Sequence, residues 1–295
     1  MPKIPKNIPV DQVKGVISLG RESEESMDVP IHLSILVDKT APSWLICTVR
    51  DAFVPERDAV VDVSAVSKSP VVFGIDVALV LCGSDEDMVR ETVRTFAGTR
   101  HHVCMVAETS LDIPQIMLPS KMGQYVKTVV ASEHGPLLER LATTILESTE
   151  KTVSFAANFA FFRETATARL VSKAAARNAL MGVADFIPGA GMPLMTMNEL
   201  NLAFDIAASH GQGLSPARIP EVIVVIAAGF VYRKFAHGLC RAIPSLSLVW
   251  KAGAAYAGTI VTGRVLADHF SYGERELASL NESGNETIEV KAQVL

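Results

Sequence analysis

The sequence predicts an α/β domain with a mostly parallel sheet, followed by an all-α helical domain. Between residues 31 and 150, short Val-rich runs alternate with longer segments of helical periodicity, which is typical of a parallel sheet covered by helices. After residue 151 the short runs stop. The chain has 295 residues, 49% of them hydrophobic, and this is enough for two domains of roughly 100 to 200 residues each.

Five runs in the first half are predicted strands because they are brief, rich in β-branched residues and bounded by turn or charged residues. They are IHLSILVD, DAVVDVSAV, IDVALVLCG, HHVCMVAE and YVKTVVAS. The predicted helices between and after them are SWLICTVRDAF, SDEDMVRETVRTFAG and PLLERLATTILESTE. The last helix places Leu137, Leu141 and Ile145 on one face. Ser84 is the predicted N-cap of the second helix, because a side-chain oxygen there accepts free amide hydrogens.

Long Ala-rich segments separated by Gly and Pro are predicted helices in the second half. They contain VSFAANFAFFRETATARL, PLMTMNELNLAFDIAASHG, SPARIPEVIVVIAAGFVY and SLSLVWKAGAAYAGTIVTG. The end of the chain is polar and low in large apolar side chains. We therefore predict an N-terminal arm over residues 1–30, an α/β domain over 31–150, a helical domain over 151–270 and a polar tail over 271–295.

The net charge of −5 conceals regions of opposite sign. Residues 1–150 carry 14 basic and 21 acidic side chains, residues 151–270 carry 11 and 6, and residues 271–295 carry 2 and 5. The modest basic excess of the helical region suits an acidic protein partner or an anionic membrane surface. Nucleic-acid binding needs basic residues clustered on one face and is not expected.

The cysteines and the N-terminal region indicate a cytoplasmic protein. Four cysteines are spread along the chain without a CxxC pair, which argues against a disulfide framework and a zinc cage. The first thirty residues hold no apolar stretch of signal-peptide length. The inner face of the membrane is a second expected location.

Two glycine-containing segments depart from the dinucleotide fingerprint. PGAGMP has Leu194 where the third glycine is needed, HGQGLSP has Pro216 there, and neither follows a predicted strand. The first is predicted to be a turn between helices, with Pro193 near the start of the second helix. The other is predicted to end a helix at Gly211 and to begin the next one with a Ser215 cap.

The loop after the first predicted strand is the remaining candidate for a ligand site, because α/β folds bind ligands beyond the carboxyl ends of their strands. It contains Lys39 and Thr40, but no glycine occurs between Gly20 and Gly74, and loops that wrap phosphates need glycine. If divergent nucleotide binding survives, we expect Lys39, Thr40 and Asp62 to carry it. No catalytic residue, cofactor or metal is expected.

HHVC has the residue types of a metal site, namely His101, His102 and Cys104, with Cys82 on a neighbouring predicted strand. Adjacent residues of a strand point to opposite faces, so the two histidines are not expected to share an ion. We therefore predict a buried thiol and half-exposed histidines.

The phenylalanines Phe155, Phe159 and Phe162 have helical spacing and are predicted to pack in a core. The acids Glu164, Glu199 and Asp205 are predicted to be solvated or ion-paired. GxSxG, HExxH and CxxC motifs are absent from the sequence, so the common local signatures of nucleophilic and metal catalysis are missing.

A membrane span requires about 20 predominantly apolar residues. The charge-free runs VIVVIAAGFVY and AGAAYAGTIVTG are shorter, and Lys251 directly precedes the second. In that run the pairs Ala254 and Gly258, and Thr259 and Gly263, permit close helix approach in membranes or in water. A soluble helical bundle is the preferred interpretation, and an inserted hairpin is the alternative.

The segment of residues 176–270 resembles the helical family known as domain of unknown function 697. The resemblance rests on ALMGVADFIPGAGMPLMTMNELNLAFDIAASHG and AGAAYAGTIVTGRVLADHF, and the IPGA turn followed by MTMNELNLAFDIA is its most specific part. Members of that family often follow an Era-like GTPase domain, and many are predicted to be membrane-associated. The resemblance therefore implies a GTPase-like, P-loop-like fold for residues 31–150.

Residues 31–150 resemble such a GTPase domain in element order, but its nucleotide-binding motifs are degenerate. VVDVSA occupies the position of DxxG and keeps Asp62, but has Ala65 in place of the glycine. Residues 107–110 match nothing of NKxD, and VVASEHG resembles SAxxG with Ala131 and Ser132 transposed. The resemblance thus implies a pseudo-GTPase.

The preferred hypothesis is a non-enzymatic protein in which a pseudo-GTPase module binds a protein partner and the helical domain docks on a partner or a membrane surface. One alternative is a divergent NTPase that uses Lys39, Thr40 and Asp62. The other is a membrane protein in which residues 151–270 insert as a hairpin.

Overall fold

The structure is a computed structural model that describes residues 10–183, 191–213, 252–253 and 255–271. The chain divides into two compact units. An α/β unit comprises Glu25–Ala166, and a helical unit comprises Met1–Glu24 and Thr167–Leu295. The sequence predicted a domain boundary at residue 151 and a separate N-terminal arm over residues 1–30.

Helix α1 (Val10–Met27) occupies most of that N-terminal region. Its buried positions include Gly20, Ser23 and Met27, which recur every three or four residues as expected for one face of a helix. Two of these three side chains are small or polar. Small residues at two of these positions weaken the apolar pattern by which an amphipathic helix is recognised in a sequence.

The sheet of the α/β unit has five parallel strands in the order β2-β1-β3-β4-β5. They are β1 (His32–Val37), β2 (Val60–Ala65), β3 (Val77–Leu81), β4 (His102–Ala107) and β5 (Val126–Val130). Each strand lies within one of the five predicted runs. The prediction of an α/β unit with a mostly parallel sheet is confirmed.

The three predicted helices of this unit are also present, and α4 is an additional short one. Their bounds are α2 (Ser43–Ala52), α3 (Glu86–Gly98), α4 (Ser120–Gly123) and α5 (His134–Ser148). The predicted cap of α3 is wrong by one residue, because Asp85 is the N-cap and its side chain accepts a hydrogen bond from the Met88 amide. The Ser84 amide instead donates to Thr40 Oγ1 at 2.7 Å.

Apolar side chains fill both faces of the sheet, as expected for parallel strands covered by helices. On one face, Leu33 and Leu79 pack with Leu45 of α2 and Leu141 of α5. On the other face, the core includes residues of β1, β3 and β4 together with residues of α3, namely Leu36, Ala78, Val80, Met105, Val89, Val93 and Phe96. Two helices thus cover one face and α3 covers much of the other.

The segment predicted to be one helix from Val153 onward is broken, which corrects that prediction. Helix α6 (Thr152–Asn158) ends, Phe159 is extended, a 3-10 turn (Ala160–Phe162) follows, and α7 (Arg163–Val183) begins. The Asn158 carbonyl accepts the Glu56 amide at 2.8 Å, so it does not continue the helical hydrogen-bond pattern.

The phenylalanines around this break are core residues, as predicted. Phe155, Phe159 and Phe162 are buried in the apolar cluster of the α/β unit. Their rings lie 5.2 to 6.3 Å apart, and Phe53 at the end of α2 contacts Phe159 edge to face. The break between α6 and α7 therefore lies inside the packed region of this unit.

The described part of the helical unit contains portions of α1 and α7, helix α8 (Gly191–Ser209) and a helix over residues 255–271. Its apolar cluster includes Val171 of α7, Phe204 and Ile206 of α8, and Leu266. The predicted stop at Gly211 is confirmed, because α8 ends two residues earlier and Gly211 has φ 68°. Residues 188–190 of the predicted turn, the Ser215 cap and the helix after it lie outside the described residues. Residues 191–193 of that turn already belong to α8, where Pro193 lies near the start of the helix, as predicted.

Polar side chains join the helices of this unit. Asn178 of α7 donates to Thr259 Oγ1 at 2.8 Å, and Asn198 of α8 donates to Asn178 Oδ1 at 2.8 Å. Asp205 accepts hydrogen bonds from Ser23 of α1 at 2.6 Å and from Asn201 at 3.0 Å. This corrects the prediction for Asp205, which is half-buried and bonded by neutral groups.

Of the two other acids weighed with Asp205, Glu164 is exposed, as predicted, and Glu199 is only 1% exposed. Burial is the main cause that raises the pKa of Asp205, and the Ser23 hydrogen bond partly opposes it.

Among the described residues, no helix combines the length and apolarity needed to cross a membrane.

We expect Gly263→Ala to destabilise the helical unit. A Cβ at this position would lie 2.4 and 2.7 Å from the two methyl carbons of Val171 and 3.1 Å from its Cβ, so rotation of the valine cannot relieve the overlap. The expected cost is about 1–3 kcal/mol of unfolding free energy, measured by urea denaturation. Val171→Ala in the same chain should recover part of that loss, and additive effects of the two changes would contradict the contact.

Candidate functional site

The strand order identifies one place in the α/β unit where a ligand would be expected. The chain leaves β1 toward β2 on one side and then continues to β3 on the other side of β1. In open α/β sheets, such a reversal leaves a crevice beyond the carboxyl ends of the two strands, and ligands bind there. The residues that follow β1 and β3 therefore form the candidate site.

Asp38 occupies this crevice directly after β1. The residue is 1% exposed, and its amide continues the sheet by donating to the Leu81 carbonyl at 3.0 Å. Oδ1 accepts hydrogen bonds from the Thr40 amide at 2.9 Å and the Thr40 hydroxyl at 2.8 Å. Oδ2 accepts from the amides of Gly83 and Asp85, both at 3.0 Å. One carboxylate thus joins the loops after β1 and β3.

Gly83 allows these two loops to touch. A Cβ at residue 83 would lie 2.4 Å from Thr40 Oγ1, and 2.5 Å from both the Ala41 amide nitrogen and the Thr40 carbonyl carbon. Thr40 Oγ1 also accepts the Ser84 amide at 2.7 Å. The backbones therefore meet without space for a side chain, and we call this arrangement of Asp38, Thr40, Gly83 and Asp85 the Asp38 clasp.

The clasp favours the ionised form of Asp38. Burial alone would raise the pKa of this carboxyl, because a charge is less stable away from water. The hydrogen bonds from the Thr40, Asp85 and Gly83 amides and from the Thr40 hydroxyl outweigh burial, so the pKa of Asp38 lies below its ordinary value. The amide and hydroxyl donors of the site are thus satisfied by the Asp38 carboxylate of the same chain.

The three residues proposed for divergent nucleotide binding are not brought together. Lys39 and Thr40 are exposed residues beyond the carboxyl end of β1, and the Thr40 hydroxyl belongs to the clasp. Asp62 lies inside β2, in register with Ser34 of β1, and its carboxylate contacts His32 Nε2 at 2.5 Å. Asp62 therefore faces the amino-terminal end of β1, away from Lys39.

The loops after β4 and β5 form separate local structures. After β4, Thr109 and Asp112 bond each other in a capping box, with the Thr109 hydroxyl 2.8 Å from Asp112 Oδ2. After β5, His134 Nδ1 lies 2.6 Å from Thr48 Oγ1, and its ring packs edge to face on Trp44. Because the Thr48 hydroxyl donates to the Trp44 carbonyl, His134 Nδ1 is the donor to Thr48.

The histidines and cysteines near β4 do not form a metal site. Within the described residues, no group of three or more His, Cys, Asp or Glu side chains could hold a metal ion. Cys82 and Cys104 lie in the cores on opposite faces of the sheet. Burial raises the pKa of each thiol to about 12, so both stay protonated at neutral pH.

The residue that dominates the crevice, Asp38, was not singled out from the sequence. A weak signal was present, since an acid directly after a buried Val-rich strand lies at the edge where α/β sheets place functional side chains. The donors that define its role come from Gly83 and Asp85, more than 40 residues away, and only strand order brings them close.

The fold and the crevice define a doubly wound parallel α/β unit whose switch point is occupied by a side chain of the protein itself. Comparison of the chain with known protein families, with curated proteins and with solved structures found no match.

We expect Asp38→Asn to lower the unfolding free energy by about 1–3 kcal/mol at pH 7, because an amide NH₂ would face backbone N–H donors. The pKa of Asp38 is depressed by folding, so its stabilisation is present above about pH 3.9 and is lost as the pH falls through the folded-state value. The difference between wild type and variant should therefore shrink in acid. Urea titrations at several pH values test this, with exposed Asp268→Asn as the control, and a difference independent of pH would contradict it.

Proposed function

We propose that this protein is a non-enzymatic interaction protein, in which the α/β unit is a pseudo-GTPase module and the helical unit is a docking domain. The observation that supports the proposal best is the Asp38 clasp. A nucleotide phosphate held at a switch point needs amide donors directed at it. Here the amides of Thr40, Gly83 and Asp85 are directed at an internal carboxylate.

Two further features support loss of nucleotide binding. A phosphate would have to displace a carboxylate that is covalently tethered to the site and accepts four hydrogen bonds, each worth about 1.5–3 kcal/mol when one partner is charged. In addition, the remaining acid of the degenerate motif, Asp62, pairs with His32. A phosphate, a metal and a catalytic group would therefore lack a common site.

The assignment to the GTPase class rests on the sequence resemblance. The strand order agrees with such a domain, but the order β2-β1-β3-β4-β5 is also that of flavodoxin-like folds. The segment VVDVSA, compared with DxxG, forms β2, and residues 107–110, compared with NKxD, begin at the end of β4. The resemblance of the second half to domain of unknown function 697 belongs to the same proposal.

We propose that the helical unit docks on an acidic partner or on an anionic membrane surface. Within this unit, residues 167–270 carry 9 basic and 5 acidic side chains. Several large apolar side chains of the described helices are more than two-fifths exposed, namely Leu180, Tyr256, Val261 and Val265. Basic charge together with exposed apolar side chains suits attachment at the surface of a membrane.

Nucleotides should fail to stabilise the purified protein. We expect the melting temperature to stay unchanged when GTP or ATP is added with Mg²⁺, because ligand binding would raise it by mass action. We also expect no phosphate release above that of a blank. A rise in melting temperature that disappears in Lys39→Ala would contradict the proposal and support a divergent NTPase, and Lys121→Ala is the matched control because Lys121 is an exposed lysine in α4.

Cell fractionation should distinguish docking of the helical unit on the membrane surface from its insertion into the membrane. If the unit docks electrostatically, high salt should release the full-length protein from membranes, because salt screens exposed charges. Resistance to salt and to alkaline carbonate would overturn surface docking and indicate insertion of residues 151–270. Recovery in the soluble fraction without any wash would direct the search to protein partners.

A further inference from the structure

Strand β2 presents a free edge. Its even-numbered residues bond β1, since the Val60 amide donates to the Ile31 carbonyl at 2.8 Å and the Val66 amide to the Val37 carbonyl at 3.1 Å. Because successive residues of a strand point their backbone groups in opposite directions, those of Val61, Val63 and Ala65 point away from β1. Within the described ranges no strand pairs with them.

Among the residues that the structure describes, this edge lacks the usual protection against pairing with another chain. Natural edge strands are shielded by lysine, proline, bulges or a covering helix. The sequence of β2 is VVDVSA, its single charge is Asp62, and Asp62 pairs with His32. Val63 is 64% exposed. The edge therefore combines unused hydrogen-bonding groups with an exposed apolar side chain.

We propose that β2 pairs with β2 of a second copy of this chain, antiparallel about a two-fold axis at Val63. In this register, the backbone groups of the outward residues Val61, Val63 and Ala65 on both strands form hydrogen bonds between the copies. Val63 faces Val63 of the partner, Val61 faces Ala65, and each facing pair exchanges two hydrogen bonds. Any other register leaves at least one of the outward residues of each copy without a facing outward residue.

The same register places opposite charges together. Asp58 precedes β2 and Lys68 follows it, both are exposed, and neither has an ion pair within the described part of the chain. In a pair centred on Val63, the end of the strand next to Asp58 of one copy meets the end next to Lys68 of the other, and this meeting of opposite charges occurs twice. Asp62 faces Ser64 and is offset from its own symmetry mate, so like charges are not opposed.

The side chains of Val61, Val63 and Ala65, which face each other across the two-fold axis, are also all apolar. Val61, Val63 and Ala65 share one face of the sheet, where Val61 already packs against the apolar core. Across the two-fold axis, these residues would extend one apolar stripe over both copies and bury Val63. The two sheets would become one continuous sheet with an isologous interface, in which each copy contributes the same patch. The interface is small, so concentration-dependent association is expected.

The first test is sedimentation of the purified full-length protein over a range of concentrations. We expect a monomer–dimer equilibrium that Val63→Lys abolishes, because two ammonium groups would meet at the axis. Val71→Lys is the control, since Val71 is a 77% exposed valine outside β2. Thermal unfolding shows that each variant is folded. A monomer at every concentration, or a dimer insensitive to Val63→Lys, overturns the proposal.

Charge reversal tests the register. Asp58→Lys brings like charges together at both ends of the paired strands, and we expect the dissociation constant to rise roughly tenfold. Lys68→Asp should weaken the dimer similarly, and the chain with both changes should recover the original dissociation constant. If the double variant stays as weak as the single ones, this register is wrong.

Amide hydrogen exchange distinguishes a second copy from other occupants of the edge. The amides of residues 60, 62 and 64 should be protected at every concentration because they face β1. Those of Val61, Val63 and Ala65 should gain protection as the dimer forms. Protection of these three amides in a monomer would mean that another part of the chain covers the edge, and it would overturn the proposal.

Discussion

The α/β unit depends on one buried carboxylate that joins its two central loops. A buried charge is costly unless it is fully hydrogen-bonded, and Asp38 meets this requirement with the Thr40 amide and hydroxyl and the amides of Gly83 and Asp85. These bonds hold the loop that leads into α2 against the loop that leads into α3. The starts of both helices are therefore positioned by the same anion that fills the crevice.

The helical unit is organised by a different kind of contact. Its helices are joined by amide and hydroxyl groups of Asn178, Asn198 and Thr259, and they approach closely where Gly263 meets Val171. Hydrogen bonds of this kind are lost if one helix slides along its neighbour. They therefore specify helix register in a way that apolar packing alone does not.

The sequence predicted the sheet well because each strand is a short β-branched run between turn residues. It failed where tertiary contacts decide local structure. The helix predicted from Val153 ends at Asn158 because its carbonyl accepts the amide of Glu56, which lies more than a hundred residues earlier. Helix α1 was missed because its buried stripe contains Gly20 and Ser23. Asp38 was missed because its partners follow β3, and no local motif encodes the strand order.

The connection between β2 and β3 contains no crossover helix, and this leaves the strand next to the filled crevice exposed. Parallel strands are normally covered on both faces by their crossover helices. Residues 66–76 contain no helix, and five of the six residues of β2 are exposed. Thr92 of α3 bonds the Ser67 backbone, so this connection is held in place without covering the strand. Within the described part of the chain, the strand beside the filled crevice is thus an exposed edge strand, and this is the basis of the proposed recognition through the sheet edge.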